Sequence, residues 1–457
     1  MQRAQSSIGT LQCRNGSLLI IKLLLLHLSV ARAICAALPP ALRLPVCVSV
    51  AGLVSGIEPS ACAFAQAFPV VSHDAITRML ACPWWSRQLM LGSAVALANA
   101  LGGGWLILDD VHIPKPYAKA IAFCFWDYDH ASRRNAFGLR LVVLVWCNGA
   151  LTIPLGFFIW QKDPTRTRRR KTRRPAAEAP KARAPRRTKS EKRTLSRQVR
   201  CESGVRYRSK NELARALVWT AVRAGIHAEV ICFDNWYASR ENIKFFGRMG
   251  LEWVTSLKKN TRVEFEGRRL TVAEVAATVA KPNYHYYARI AARARCFPVT
   301  AFGITAQLTV VKDDSHPDGG HVKYLATSIG GLTAMEHVQW YRRRWPIEVL
   351  FRDCKQLLGL CRCQARGAQQ QLTHLVLVLV GYVVLQLMKR RGPDAQVSVH
   401  RSQHALLVLR VLVTGRRTSL ARQHPTGTFE PVDLAHLWDP IRTRLPEQYL
   451  PETFALP

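Results

Sequence analysis

Two short apolar runs, each ending in acid, frame the chain. Trp105-Leu-Ile-Leu-Asp109-Asp110 follows the glycines Gly102 to Gly104 and reads as a buried strand that finishes in carboxylates. Ala228-Glu-Val-Ile-Cys-Phe-Asp234 is a second β-rich run with an acid at its C-terminal end. Further on, apolar and polar positions alternate in Val254-Thr-Ser-Leu-Lys, Val263-Glu-Phe-Glu-Gly-Arg-Arg-Leu, Thr305-Ala-Gln-Leu-Thr-Val-Val and Val322-Lys-Tyr324-Leu-Ala-Thr-Ser, which predicts strands joined by turns. The period then becomes helical. Ile347, Leu350, Phe351, Cys354, Leu357 and Leu358 supply one apolar face that would pin a helix to a core.

Two longer apolar runs raise the question of a membrane. Leu18 to Leu28, with Arg3 and Arg14 before it and Ala31-Arg-Ala33 after it, imitates a secretory signal. Lys22 and His27 interrupt it, and it is too short to span a bilayer. It reads as a helix of a DNA-end-binding region or as the product of an upstream start codon. The second run, Leu372 to Met388, contains Leu375-Val-Leu-Val-Leu-Val380, but His374, Gly381, Tyr382 and Gln386 break it. It predicts a buried helix under the site and no membrane partner. Near the N-terminus Ser72 precedes His73-Asp74-Ala-Ile-Thr-Arg78 as a helix cap.

At 457 residues the chain has room for two or three domains. Residues 1–100 predict a mostly helical N-terminal region, and 101–253 the first part of a catalytic core. Residues 254–333 predict a β-rich insertion, 334–392 two further core helices, and 393–457 a tail suited to dimerisation. Lys and Arg number 65 against 30 Asp and Glu, a net charge of +35, which means strong attraction to polyanions. Residues 162–200 hold 17 of those cations against Asp163, Glu178 and Glu191. With so few apolar residues the segment cannot fold alone, so it reads as a flexible basic insertion, either a phosphate clamp or a solvated linker. The 13 Cys form no zinc-spaced quartet and no disulfide framework, which fits reduced cytoplasmic thiols.

The candidate chemistry lies in Tyr341-Arg-Arg-Arg344-Trp-Pro-Ile-Glu348, with Lys355 following. Successive gaps of three, four and seven residues place Tyr341, Arg344, Glu348 and Lys355 within roughly 60° on one helix face. Pro346 complicates this, because proline favours a first turn; a regular helix starting at Trp345 would leave Tyr341 and Arg344 on the preceding turn. Alone, such a stripe is better explained by a solvated face held by ion pairs. Carboxylates at two strand ends plus a third on a helix are what a two-metal phosphodiester site requires, since Mg²⁺ takes oxygen ligands and keeps positions open for water and phosphate. Asp110, Asp234 and Glu348 supply them.

These residues resemble the YREK signature of bacterial insertion-sequence DDE transposases, in which Tyr, Arg, Glu and Lys stand at these same gaps. The likeness extends to Asp109-Asp110-Val-His-Ile-Pro-Lys115-Pro, Trp126-Asp-Tyr128-Asp129-His130, Arg206-Tyr-Arg-Ser-Lys210-Asn211-Glu212 and Leu358-Gly-Leu, over roughly residues 70 to 390. It implies an α/β fold with an RNase H-like core, a mixed sheet flanked by helices, and a β-rich insertion before the Glu helix. It also implies Asp110, Asp234 and Glu348 as catalytic residues holding two Mg²⁺ ions, with Mn²⁺ able to substitute. Asp110 is preferred over Asp109 because the family's first acid is usually the second of such a pair, followed by Thr; here Val111 stands in that place. Tyr341, Arg344 and Lys355 would hold DNA-end phosphates. Tyr324 would stack on a base flipped from the DNA end, or else serve as a core strand tyrosine. The implied partners are the terminal inverted repeats, target DNA and a second copy of the chain in the synaptic complex, in a bacterial, nucleoid-associated cytoplasmic setting. A DNA-binding descendant that no longer cuts is the alternative.

Overall fold

A computed structural model describes residues 38–82, 87–118, 120–129, 132–162, 207–280, 283–313 and 322–389. The apolar run 18–28, residues 163–200 of the basic segment and the tail 393–457 lie outside them.

Four helices lead in: α1 (Pro40–Ser55), α2 (Ala61–Ala67), α3 (His73–Ala81) and α4 (Arg87–Leu101). Pro40 occupies the first turn of α1, and Gly56, at φ 82°, closes it in the left-handed conformation that glycine adopts without steric cost. Ser60 and Ser72 cap α2 and α3 by accepting from the third helical N–H. The sheet follows, from β1 (Trp105–Pro114), β2 (Phe125–Asp129), β3 (Arg134–Cys147) and β4 (Thr152–Trp160). After α5 (Lys210–Arg223) come β5 (Val230–Phe233), α6 (Arg240–Arg248) and β6 (Glu252–Leu257). β1 pairs antiparallel with β3, β3 antiparallel with β4, and β1, β5 and β6 run parallel to one another. The spatial order β4-β3-β1-β5-β6 is thus a mixed sheet with helices packed on it, the α/β RNase H-like core.

The β-rich insertion comprises β7 (Arg262–Phe265), β8 (Arg268–Thr271), α7 (Val272–Ala277), β9 (His285–Tyr287), β10 (Ala292–Ala301), β11 (Ile304–Asp313) and β12 (Val322–Thr327). It extends the core sheet without a break, because β12 pairs antiparallel with the open edge of β6. Residue 254, where the sequence places the start of the insertion, falls inside β6, whose other edge is paired to β5; the strand belongs to the core. Its alternation matches that of the insertion strands, so the pattern alone does not separate them.

α8 (Ala334–Arg342) opens with a capping box between Thr333 and Glu336. α9 (Trp345–Gln356) follows after a two-residue turn, with Pro346 in its first turn. α10 (Ala368–Lys389) has a stretch, Ala368–Leu387, long and apolar enough to cross a membrane, and 83% of its most apolar window is buried inside the protein. It packs on α1, α3, α4, α9 and β4. Val376, Val378 and Leu385 are fully buried, and each contributes on the order of 1.5–3 kcal/mol.

Candidate active site

Parallel pairing of β1 with β5 fixes the first element of the site. The last paired positions are Leu108 and Phe233, so Asp109 and Asp234 stand one step further on, side by side. Strand alternation then sends Asp109 and Asp110 to opposite faces of β1.

On one face the turn between α8 and α9 lies over β1 and β5. Trp105 Nε1 donates to the Arg343 carbonyl at 2.9 Å, and the Arg343 guanidinium stacks on Trp340 at 3.7 Å. This fixes Arg344, the residue before α9. Its Nη1 donates to Asp109 Oδ2 at 2.7 Å, while Nη2 donates to Glu348 Oε1 one helical turn on. Arg344 therefore bridges the strand acid and the helix acid. Burial, together with the neighbouring Asp234, pushes the Asp109 carboxyl up to about 8 although Arg344 opposes it. Asp234 is also raised by burial, against backbone hydrogen bonds from Trp236 and Tyr237.

On the other face Asp110 is enclosed by donors. Arg140 Nη1 lies 2.7 Å and Lys210 Nζ 2.9 Å from its Oδ2, and the Tyr237 hydroxyl donates to Oδ1 at 3.0 Å. Burial alone would raise its pKa, but Lys210 and Arg140 together outweigh that and hold it below the usual carboxylate range. Arg140 also donates to Asp127 at 2.7 Å. Asp110 is thus fully engaged in ion pairs. The sequence expectation puts Asp110 in the metal set; it lies close enough to Asp234 to raise that carboxyl, while Asp109, also coupled to Asp234, is the acid that meets Arg344.

Tyr341 lies in the last turn of α8 and Arg344 precedes α9, so the four-residue stripe is divided between two helices and the angular relation holds from Glu348 to Lys355 only. The Tyr341 hydroxyl donates to Ser256 Oγ at 3.2 Å. Lys355 lies seven residues after Glu348, about 10 Å along α9, and does not join the acids. Tyr324, on β12, lines a cleft of 870 Å³ together with Tyr341, Trp345, Arg342, Arg344 and Asn235. That cleft opens between the insertion strands and the α8–α9 turn.

Among the described residues no three His, Cys, Asp or Glu side chains group closely enough to hold a metal ion. Asp109 and Asp234 do fit a divalent cation in donor type: both are half-buried carboxylates with raised pKa, Asp109 by burial and by Asp234, Asp234 by burial and by Asp110, and positive charge beside them relieves that. Glu348 is drawn to Arg344 instead. The sequence reading passed over Arg140, Tyr237 and the role of Lys210. Arg140 had a usable signal, a lone cation in the apolar run Leu139 to Trp146, which demands a buried counter-charge.

No curated protein matches the chain. Among solved structures, the Drosophila P element transposase strand transfer complex aligns at 12% identity over 55% of this chain and 49% of that one, with a TM-score of 0.18, a likeness too slight to carry an argument. The chain spans about half the length of that protein. The profile of the DDE superfamily endonucleases matches residues 47–310, which include Asp109, Asp110 and Asp234. The chain belongs to the DDE superfamily endonucleases.

Proposed function

We propose that the chain is a transposase that cuts the ends of an insertion sequence and joins the freed 3′-OH to new DNA, as a cut-and-paste enzyme of the YREK group. One arrangement carries the reading: Asp109 and Asp234 in step on neighbouring parallel strands, with Glu348 tied to Asp109 through Arg344. The first acid in this reading is Asp109, and Asp110 serves to hold Lys210, Arg140 and Tyr237 in place. Asp109, Asp234 and Glu348 would hold Mg²⁺, for which Mn²⁺ would substitute; when bound, the metal supplies a Lewis acid at phosphorus and an activated water or 3′-OH. Arg344 would exchange its carboxylate partners for a DNA-end phosphate, which its planar fork matches equally well. Lys355 would add a point charge. Tyr324 would stack on a base entering the cleft beside Tyr341. The net charge of +35 supports DNA as substrate and implies binding that weakens steeply with salt. A homodimer would synapse the two inverted repeats, in the bacterial cytoplasm and at the nucleoid.

The bridge at Arg344 and the lack of three convergent metal donors among the described residues favour a second reading, a DNA-binding descendant that does not cut. Purified protein, Mg²⁺ and DNA bearing the inverted repeats that flank the gene separate the two. End-specific nicking and hairpin formation by the wild type, lost in Asp109→Asn, Asp234→Asn and Glu348→Ala, establishes the transposase. Salt-sensitive binding without cleavage in either Mg²⁺ or Mn²⁺ establishes the descendant.

A further inference from the structure

Trp236 is tied by its backbone to one acid, with a neighbour tied to another, and yet presents its indole to solvent. Its backbone N–H donates to Asp234 Oδ1 at 2.9 Å, and the next residue, the buried Tyr237, donates its hydroxyl to Asp110 at 3.0 Å. The Trp236 side chain is nevertheless 53% exposed. Two ammonium groups lie against the ring, Lys210 Nζ at 4.8 Å from its centroid and Lys258 Nζ at 5.4 Å. They differ in freedom. Lys210 is committed to Asp110 at 2.9 Å, whereas Lys258 is exposed and has no carboxylate partner among the described residues.

We propose that Trp236 is a stacking platform for an unpaired nucleobase of DNA lying across the acid pair, with Lys258 taking the adjoining phosphate. The proposal rests on the DNA-cleaving reading above and assigns that reading a residue it does not otherwise contain. A large aromatic left in water beside buried carboxylates is unused apolar surface that a planar ring would cover. Cations at its rim suit a ligand that carries its own anionic backbone, and a net charge of +35 repels a basic partner. Within a duplex a base has both faces covered by its neighbours, so an unpaired base is the form that can stack. An ordinary surface cation–π pair would not need this position. Trp219, 47% exposed on α5 with the Arg223 guanidinium 5.0 Å from its ring, is such a pair and serves as the control.

The test is equilibrium binding by the full chain, in EDTA, of a labelled duplex with a short 3′ thymidine overhang and of the same duplex whose overhang is abasic. The two probes carry equal charge and differ only in the bases. The wild type is expected to bind the thymidine probe roughly tenfold more tightly. Trp236→Ala should bind both alike, Trp236→Phe should keep most of the preference, and Trp219→Ala should keep all of it. Equal binding of the two probes by the wild type, or a preference that survives in Trp236→Ala, would overturn the proposal. So would an equal loss in Trp219→Ala. A Trp236-dependent preference in a protein that cuts nothing would uphold the platform while refuting the nuclease reading; cleavage with no Trp236 dependence would do the reverse.

Discussion

Asp109 and Asp110 are neighbours in sequence, leave β1 on opposite faces, and have their acidities driven in opposite directions: Asp109 is raised to about 8 and Asp110 is lowered. In the proposed function Asp109 is the working acid and Asp110 holds its cationic partners in place. Removing the Asp110 charge leaves Arg140 and Lys210, whose side chains are 8% and 11% exposed, without their shared counter-ion. Asp110→Asn should therefore cost about 3–5 kcal/mol of stability, the range for breaking one side of a buried ion pair. Asp109→Asn should fold and bind DNA but not cut it. Thermal unfolding of both variants checks this, and a lower melting temperature for Asp109→Asn than for Asp110→Asn would refute the division of roles.

The raised pKa of Asp109 also has a stability consequence. An unfolded Asp ionises near 3.8 and the folded one near 8, so between those values the native state holds the extra proton and stability falls as pH rises. At pH 8 without metal, Asp109→Asn should melt a few degrees above the wild type, reflecting about 1–3 kcal/mol of relieved strain. Mg²⁺ should raise the wild-type melting temperature at pH 8 more than at pH 6, and should leave Asp109→Asn nearly unmoved. Scanning calorimetry at the two pH values, with Mg²⁺ and with EDTA, decides it.

The strands bearing the acids were legible because their apolar runs are bounded by glycine and by carboxylate, and the α8–α9 break was legible from Pro346. The separate partners of Asp109 and Asp110 were not. They depend on which face of β1 meets the α8–α9 turn, where Trp105 bonds Arg343, 238 positions away in sequence. The Lys210–Asp110 pair spans 100 positions and was illegible for the same reason. The basic segment 163–200 and the tail lie outside the described residues, so their expected roles rest on composition.

Two histidines give the fold a dependence on acid. His337 is buried beside Thr309, with Nδ1 2.7 Å from its Oγ1 and with Nε2 unpartnered; burial lowers its pKa to about 4. His374 is buried on α10 with Nε2 3.1 Å from the Gly359 carbonyl, and burial likewise lowers it to about 4. Unfolded histidine takes its proton near 6.5. Stability from both groups is thus complete above pH 6.5, declines as pH falls toward 4, and on their account declines no further below that. Each should contribute roughly 3 kcal/mol over that interval. Urea unfolding across the interval should show this slope, and the double variant His337→Asn, His374→Asn should flatten it whatever its absolute stability. An unchanged slope would mean that other groups titrate there.

Arg344 offers the sharpest test of how the acids are held together. A lysine in its place has one ammonium and can meet Asp109 or Glu348, but not both through the parallel donors of a guanidinium. Arg344→Lys should lower the melting temperature in EDTA by a few degrees, in keeping with about 1–2 kcal/mol for one lost charged hydrogen bond. The freed carboxylate then adds negative charge beside Asp234. Divalent cation should recover what the lysine cannot supply, so the Mg²⁺-induced rise in melting temperature should be larger in Arg344→Lys than in the wild type. DNA-end binding should weaken at the same time, because a point charge replaces a fork that matches phosphate. A Mg²⁺ response equal to or smaller than that of the wild type would show that the guanidinium and the metal do not compete for Asp109 and Glu348, and that Arg344 is a fixed part of the site.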